Sequence, residues 1–364
     1  MDGSRNSRRH QSAVSRRRAL RAAAGALPAV AIARSGFAAD QKVVIRTTTG
    51  STYGDAMEAA IYGPFSKATG IAVEKTPVEM PPLIASVKQG RPLVDVIDTS
   101  ENLLRTLGNN DVLADIDYDR LKGLAIADIG KDSAQPNLVR RMVFARVLGY
   151  KKSTFSKTGA PKSWADFWDA SKFPAARGLP GMAGLAWPDL EFALLADGVP
   201  MSNLYPIDIA RGLASYAKIR PHVGTFYTTD AISESLLARG EVELQSMANG
   251  RVQSLIDQGG DFAIEWNQHM KISSGYSIMK GAQNLESAYR FLDYAMSPEV
   301  QARFSMLIPY GPTNAKAFAM ISEVQANMLP TNPRWTDQGF TQNAAWWGSK
   351  LGEVTKAWNE WATK

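Results

Sequence analysis

From residue 42 onward, apolar positions switch repeatedly between a period of two and a period near 3.6. Val43-Val44-Ile45-Arg46-Thr47 is a β-branched run that reads as a strand. A Gly/Ser loop, Thr49–Gly54, follows it. Met57, Ala60, Ile61, Phe65 and Ala68 then recur at three- and four-residue spacing, and Gly70 marks the stop of that helix. Ile71–Glu74 reads as the next strand, and Pro81-Pro82 opens a helix carrying Leu83, Ile84 and Val87. Val94–Asp98 is a third strand, with Thr99-Ser100-Glu101 at its carboxyl end. Strands alternating with helices imply a parallel sheet covered by helices, an α/β chain.

The middle of the sequence repeats this order with other residues. Val143–Tyr150 is strand-like, and Ser163-Trp164-Ala165-Asp166-Phe167 opens a helix. His222–Tyr227 is a strand; Ile232, Leu236 and Leu237 mark a helix ended by Gly240. Glu241–Met247 is another strand, followed by an Asn249-Gly250-Arg251 turn and a helix through Val252, Leu255 and Ile256. Ser297-Pro298-Glu299 is a helix start, with Ser as cap and Pro in the first turn. Trp347, Leu351, Val354, Trp358 and Trp361 step by four and three, so an amphipathic helix closes the chain. Its tryptophans read as packing, as do Trp164 and Trp168.

Charge changes the picture only at one end. The 364 residues carry a net charge of +6 and no Cys. Residues 1–39, however, hold eight arginines and one acid, Asp2, leaving 33 basic against 34 acidic side chains in the rest. A nucleic-acid role loses its basis there. Ser15-Arg16-Arg17-Arg18-Ala19-Leu20, an apolar stretch over Ala22–Ala33 and Gly36-Phe37-Ala38-Ala39 describe a cleavable export signal of twin-arginine type. The apolar stretch is far shorter than the about 20 residues a membrane anchor needs. Without Cys there is no disulfide frame, thiolate nucleophile or Cys-based metal site. Beyond the signal only His222 and His269 remain, both isolated and read as non-functional.

The order of segments resembles a known family. Gly50-Ser51-Thr52-Tyr53-Gly54-Asp55, Phe65–Ile71, Leu93–Asp98, Pro161–Phe167 and Ala196-Asp197-Gly198-Val199-Pro200 appear in sequence. Leu237–Val242, Asn249-Gly250-Arg251-Val252-Gln253 and Ile308-Pro309-Tyr310-Gly311-Pro312-Thr313-Asn314 complete the series. This set is similar to the extracellular solute-binding proteins of ABC importers, in the spermidine/putrescine-binding branch.

The resemblance implies a two-lobed type II periplasmic-binding-protein fold, each lobe a mixed sheet flanked by helices, joined by hinge strands. Residues 1–39 would be the signal, 40–142 with 274–312 lobe 1, 143–273 lobe 2, and 313–364 a C-terminal helical segment packing on the lobes. It implies a periplasmic monomer that traps a small amine or amino-acid-like solute between the lobes and hands it to an ABC permease. No cofactor, metal, nucleic acid or turnover is expected.

In that branch aromatic residues cage a methylene chain and carboxylates hold ammonium groups, which is cation–π and ion-pair chemistry. Here Ala248 stands where a Trp usually precedes Asn-Gly, and Gly275 where a carboxylate is usual. Arg251 follows Asn-Gly instead, and a guanidinium suits a carboxylate. A ligand with both an amine and a carboxylate, such as 4-aminobutyrate, is therefore favoured over a polyamine such as putrescine or spermidine.

The candidate ligand-binding residues are Ser51, Tyr53, Ser100, Trp187, Thr229, Asn249, Arg251, Trp266, Tyr276 and Tyr310. Glu101, Asp189, Asp230 and Glu265 are candidates for the amine partner. Two rival readings remain: an exported carboxylate-pair glycosidase or other hydrolase without a His base, and a ferric-ion binder on the same fold. No Gly-x-Ser-x-Gly elbow, His-Glu-x-x-His motif or adjacent tyrosine pair speaks for either.

Overall fold

Two long antiparallel strands, Leu138–Lys151 and Phe262–Ile278, organise the sheet. They pair from Val139↔Tyr276 to Lys151↔Phe262. The computed structural model describes residues 41–182 and 187–363; the export signal expected at 1–39 lies outside the described residues.

On one side, Val96–Ser100 pairs antiparallel with the carboxyl end of Phe262–Ile278, and Lys42–Arg46 and Ala72–Thr76 add parallel to it. On the other side, Leu244–Ala248 pairs antiparallel with the far end of Leu138–Lys151, and Arg177–Pro180 and Val223–Tyr227 add in parallel. Each side is thus a parallel triplet hung on a long antiparallel strand, a mixed sheet whose polypeptide crosses between sides along the same two strands.

Two apolar cores follow this division. One gathers Val43, Ile45, Phe65, Val96, Tyr276, Phe291 and Phe304 under the first triplet. The other gathers Leu148, Trp164, Phe167, Leu190, Phe192, Tyr216 and Leu244 under the second. The final helix, Ala344–Ala362, belongs to neither alone. Gly348 lies against Arg105 of the helix Glu101–Asn109 on the first side, where an added Cβ would stand 2.6 Å from Arg105 Cβ. Trp347 and Trp358 enter the second core. Among the described residues no helix is long and apolar enough to cross a membrane.

Two elements differ from the sequence expectation. The helix after the first strand begins at Thr52, inside the supposed loop, because Ser51 caps it by accepting from Gly54 N–H at 3.4 Å. It continues through a π-helical turn, Glu58–Tyr62, to the stop at Gly70. Asn249-Gly250-Arg251 is not a separate turn but the first turn of the helix Asn249–Asp257.

Candidate functional site

The carboxyl ends of the two parallel triplets face one cavity of about 300 Å³, and such strand ends are where open α/β sheets bind ligands. Two helix N-termini open onto it. Thr99, Ser100 and Asn102 come from the start of Glu101–Asn109, and Thr229, Asp230 and Ala231 from the start of Asp230–Ala238. Thr229 caps the latter, its hydroxyl accepting from Ile232 N–H at 3.2 Å. N-terminal N–H groups favour the negative end of a bound solute.

Three arginines reach the cavity, and their surroundings differ. Arg146 lies between two acids, with Nε 3.3 Å from Asp189 Oδ1 and Nη2 3.2 Å from Asp230 Oδ1. Its Nη1 donates to Tyr227 Oη at 2.6 Å. Arg251 donates to Glu234 Oε2 at 2.6 Å, and Glu234 also accepts the Thr52 hydroxyl. That carboxylate therefore ties the first helix of one side to two helices of the other. Arg46, at the end of the first strand, is 3% exposed and has no carboxylate within pairing distance among the described residues. Its Nε and Nη1 donate only to the carbonyls of Val78 and Asp98, at 3.3 and 3.2 Å. Its Nη2 is buried with no partner among the described residues. Burial depresses this guanidinium below its ordinary value, against the pull of Asp98 and Glu79, yet an arginine remains charged.

Beneath Arg46, the Asp98 carboxylate is already saturated. It accepts from Thr47 Oγ1 at 2.9 Å, from Tyr53 Oη at 2.8 Å, and from Arg141 Nε and Nη2 at 3.1 Å each. The first wall therefore brings Arg46, Asp98 and the exposed Glu79 to the cavity; Asp98 is already paired with the buried Arg141 beneath it, which leaves Arg46 as a guanidinium with no paired carboxylate among the described residues. The opposite wall sets Arg146 against Asp189 and Asp230 beside the Arg251–Glu234 pair, two arginines against three acids and so a negative excess. Burial pushes Asp189 up to about 6, against Arg146 and the Ser246 hydroxyl, so it is largely ionised at neutral pH. Trp187, Trp347, Phe144, Tyr53 and Tyr310 supply the apolar lining.

Of the ten candidate residues, Tyr53, Ser100, Trp187, Thr229, Arg251 and Tyr310 line this cavity, and Ser51, Asn249, Trp266 and Tyr276 do not. Ser51 is spent on its helix cap. Asn249 is fully buried, clamping Ala145 N–H (2.9 Å) and the Pro309 carbonyl (2.8 Å) and so fixing the backbone beside Tyr310. Gly250 is needed there, since a Cβ would come 2.5 Å from Tyr310 Cε1. Trp266 lies where the pairing of the long strands jumps from Met270 to Glu265, a bulge that turns it away onto Trp335, stacked at 4.8 Å. Tyr276 is buried below the cavity floor, its ring 5.1 Å from the Arg141 guanidinium. Gly275 cannot carry a carboxylate, because a Cβ would stand 2.3 Å from the Val139 carbonyl oxygen.

Among the amine-partner candidates, Asp189 and Asp230 line the cavity. Glu101 is held by Arg105 and Arg140, and Glu265 by Lys162. Arg46, Arg146, Phe144 and Gln342 escaped sequence reasoning, and Trp347 does more than pack. Among the described residues no three His, Asp or Glu side chains converge as a metal site would require.

Residues 60–332 match the family model for bacterial extracellular solute-binding proteins. The chain is 29% identical to the gamma-aminobutyric acid-binding protein of Pseudomonas aeruginosa, over 92% of this chain and 95% of that one. An ABC transporter substrate-binding protein from Bradyrhizobium japonicum USDA 110 is 34% identical and superposes with a TM-score of 0.78, covering 89% of this chain and 99% of that one. The binding protein AgtB from A. tumefaciens R10, solved with agropinic acid, is 26% identical with a TM-score of 0.81 over the same shares. The two sheet halves joined by long strands are thus the two lobes of a periplasmic-binding-protein fold. This chain belongs to the bacterial extracellular solute-binding protein family and is a substrate-binding protein of an ABC transporter.

Proposed function

We propose that the protein captures a small zwitterionic solute, a carboxylate and an amine separated by a short chain, of which 4-aminobutyrate is the simplest example. The observation that carries this reading is Arg46, a buried guanidinium facing the cavity with an unpartnered Nη2. A buried charged donor left unmade costs more than 1 kcal/mol, and a ligand carboxylate would satisfy it with a charge-assisted hydrogen bond. The ammonium end would face Asp189 and Asp230, whose combined charge Arg146 neutralises only by half. A dication such as putrescine would place its second ammonium beside Arg46. A cavity of about 300 Å³ lies at the small end of small-molecule sites, in keeping with a compact solute. The aminobutyrate ligand of the Pseudomonas relative supports the same class.

The lobe division falls at 142/143 and 273/274 on the long strands, with 313–364 bridging; the two separate cores support it. Ligand would touch both walls only when the lobes are closed and shift the population toward that state. The closed monomer, exported to the periplasm by its twin-arginine-type signal, would then deliver solute to the membrane permease. The protein does not turn its ligand over. Mass spectrometry of small molecules released by denaturing the purified protein tests the reading. A released solute carrying both carboxylate and amine is expected; a polyamine in its place contradicts it.

A further inference from the structure

Behind the aromatic wall of the cavity lies a carboxyl group that the ligand reading does not use. Glu191, in the helix Leu190–Ala196, is completely buried, and no cation pairs with it among the described residues. Its Oε1 accepts the indole N–H of Trp347 at 2.7 Å and the hydroxyl of Tyr205. Tyr205 Oη in turn accepts the backbone N–H of Asn343, the N-cap of the final helix, at 3.0 Å. Both partners of one carboxylate oxygen therefore lead to the start of that helix, while Oε2 has no partner among the described residues. Trp347 packs on Trp187 at 5.2 Å, and both rings line the cavity. One residue later, Gly348 lies against Arg105, and its carbonyl accepts from Asn109 Nδ2 at 2.9 Å, on the opposite lobe. A buried acid without a counter-ion is costly, and an apolar or amide side chain would pack there more cheaply.

We propose that Glu191 is a positioning residue for the ligand cavity: through Trp347 and Tyr205 it fixes the final helix so that the Trp347–Trp187 wall is held against the solute. This rests on the cavity being the ligand site. The groups facing Glu191 are Tyr205, the Trp347 indole and, two residues earlier on its own segment, Asp189, whose N–H donates to Tyr216 Oη of the neighbouring helix. Trp164, from the helix on the other flank, stacks on Phe192 and gives its indole N–H to the Gln268 carbonyl at 3.0 Å, not to Glu191. Burial pushes the Glu191 carboxyl up to about 7, against the hydrogen bonds from Trp347 and Tyr205, so its charge changes near neutrality.

The test uses protein labelled with 5-fluorotryptophan, the Trp347 fluorine resonance being assigned by Trp347→Phe. That resonance should move between about pH 5.5 and 8.5 in the wild type and stay flat in Glu191→Gln. A wild-type resonance that does not titrate, or one that still titrates in Glu191→Gln, overturns the proposal. In calorimetry with 4-aminobutyrate, Glu191→Leu should weaken binding about tenfold, while Glu191→Gln, which keeps the acceptor, stays within about threefold. Unchanged affinity in a folded Glu191→Leu also overturns it. If the wild type ignores 4-aminobutyrate, the ligand reading fails, and the fluorine titration still decides the role of Glu191.

Discussion

Arg46 and Arg251 look alike in composition, a buried guanidinium at the rim of one cavity, yet they are poised for different work. Arg251 already owns a carboxylate at 2.6 Å, and Glu234 uses its other oxygen to hold Thr52 across the cleft. Arg46 has only backbone carbonyls; each guanidinium keeps one buried nitrogen without a partner among the described residues, Nη2 of Arg46 and Nε of Arg251, so the carboxylate alone separates them. An arginine in a cleft is therefore not by itself an anion site. What decides is whether the fold has supplied its counter-charge. Arg146, sandwiched between two acids, is the opposite extreme: it is itself the counter-ion, and the acids are left in excess.

The largest effect should come from removing that counter-ion. Arg146→Met leaves Asp189 and Asp230 without their cation and should cost about 3–5 kcal/mol in urea denaturation at neutral pH. The loss should shrink in acid, where Asp189 takes up its proton. Arg46→Gln should leave the unfolding midpoint nearly unchanged, since no ion pair is broken. Its affinity for 4-aminobutyrate should fall by about 1.5–3 kcal/mol in calorimetry, at least tenfold. Arg251→Gln reverses that pattern: it loosens the cleft contact more than the ligand and should weaken binding less than Arg46→Gln does. If Arg251→Gln proves the more damaging, the contrast is broken and Arg251 is the carboxylate anchor. Glu234→Gln keeps the hydrogen bonds but removes their charge. It should speed dissociation a few-fold in stopped flow, about 1 kcal/mol or less.

A pH series sharpens the other wall. Asp189 titrates near 6 when folded, so its charge, and its hold on an ammonium group, is present above that value. Affinity should fall as the pH drops through about 6. Stability runs the other way. A carboxyl raised on folding contributes stability fully below its unfolded value and loses it as pH rises through the folded one. For Asp189 and Glu191 that window runs from about 4 to about 7, and chemical denaturation in Glu191→Gln should show a shallower decline.

Much of this architecture is legible in the sequence because strands, caps and stops are local. Ser163 caps its helix by accepting from Asp166 N–H, and the helix that ends at Gly70 stops where the spacing of apolar positions stops. The loops that face the cavity were visible as Tyr53, Ser100 and Thr229. What stayed hidden depends on contacts distant in the chain. Arg46 reads as one residue of the Val43–Thr47 strand, and nothing nearby says that Val78 and Asp98 offer it carbonyls but no carboxylate. Trp266 sits on the long strand Phe262–Ile278, but a bulge, marked by positive φ at Gln268, aims it at Trp335. Trp347 obeys its helical stripe and also faces the cavity, because its helix spans both lobes.

One wall of the cavity holds a buried guanidinium, Arg46, with no paired carboxylate among the described residues, and the other wall holds an excess of acid. Calorimetry of the purified protein against 4-aminobutyrate and putrescine, side by side at neutral pH, tests this arrangement most directly. The charge arrangement predicts that 4-aminobutyrate binds and putrescine binds at least tenfold more weakly. Saturating binding of putrescine with none of 4-aminobutyrate would contradict it.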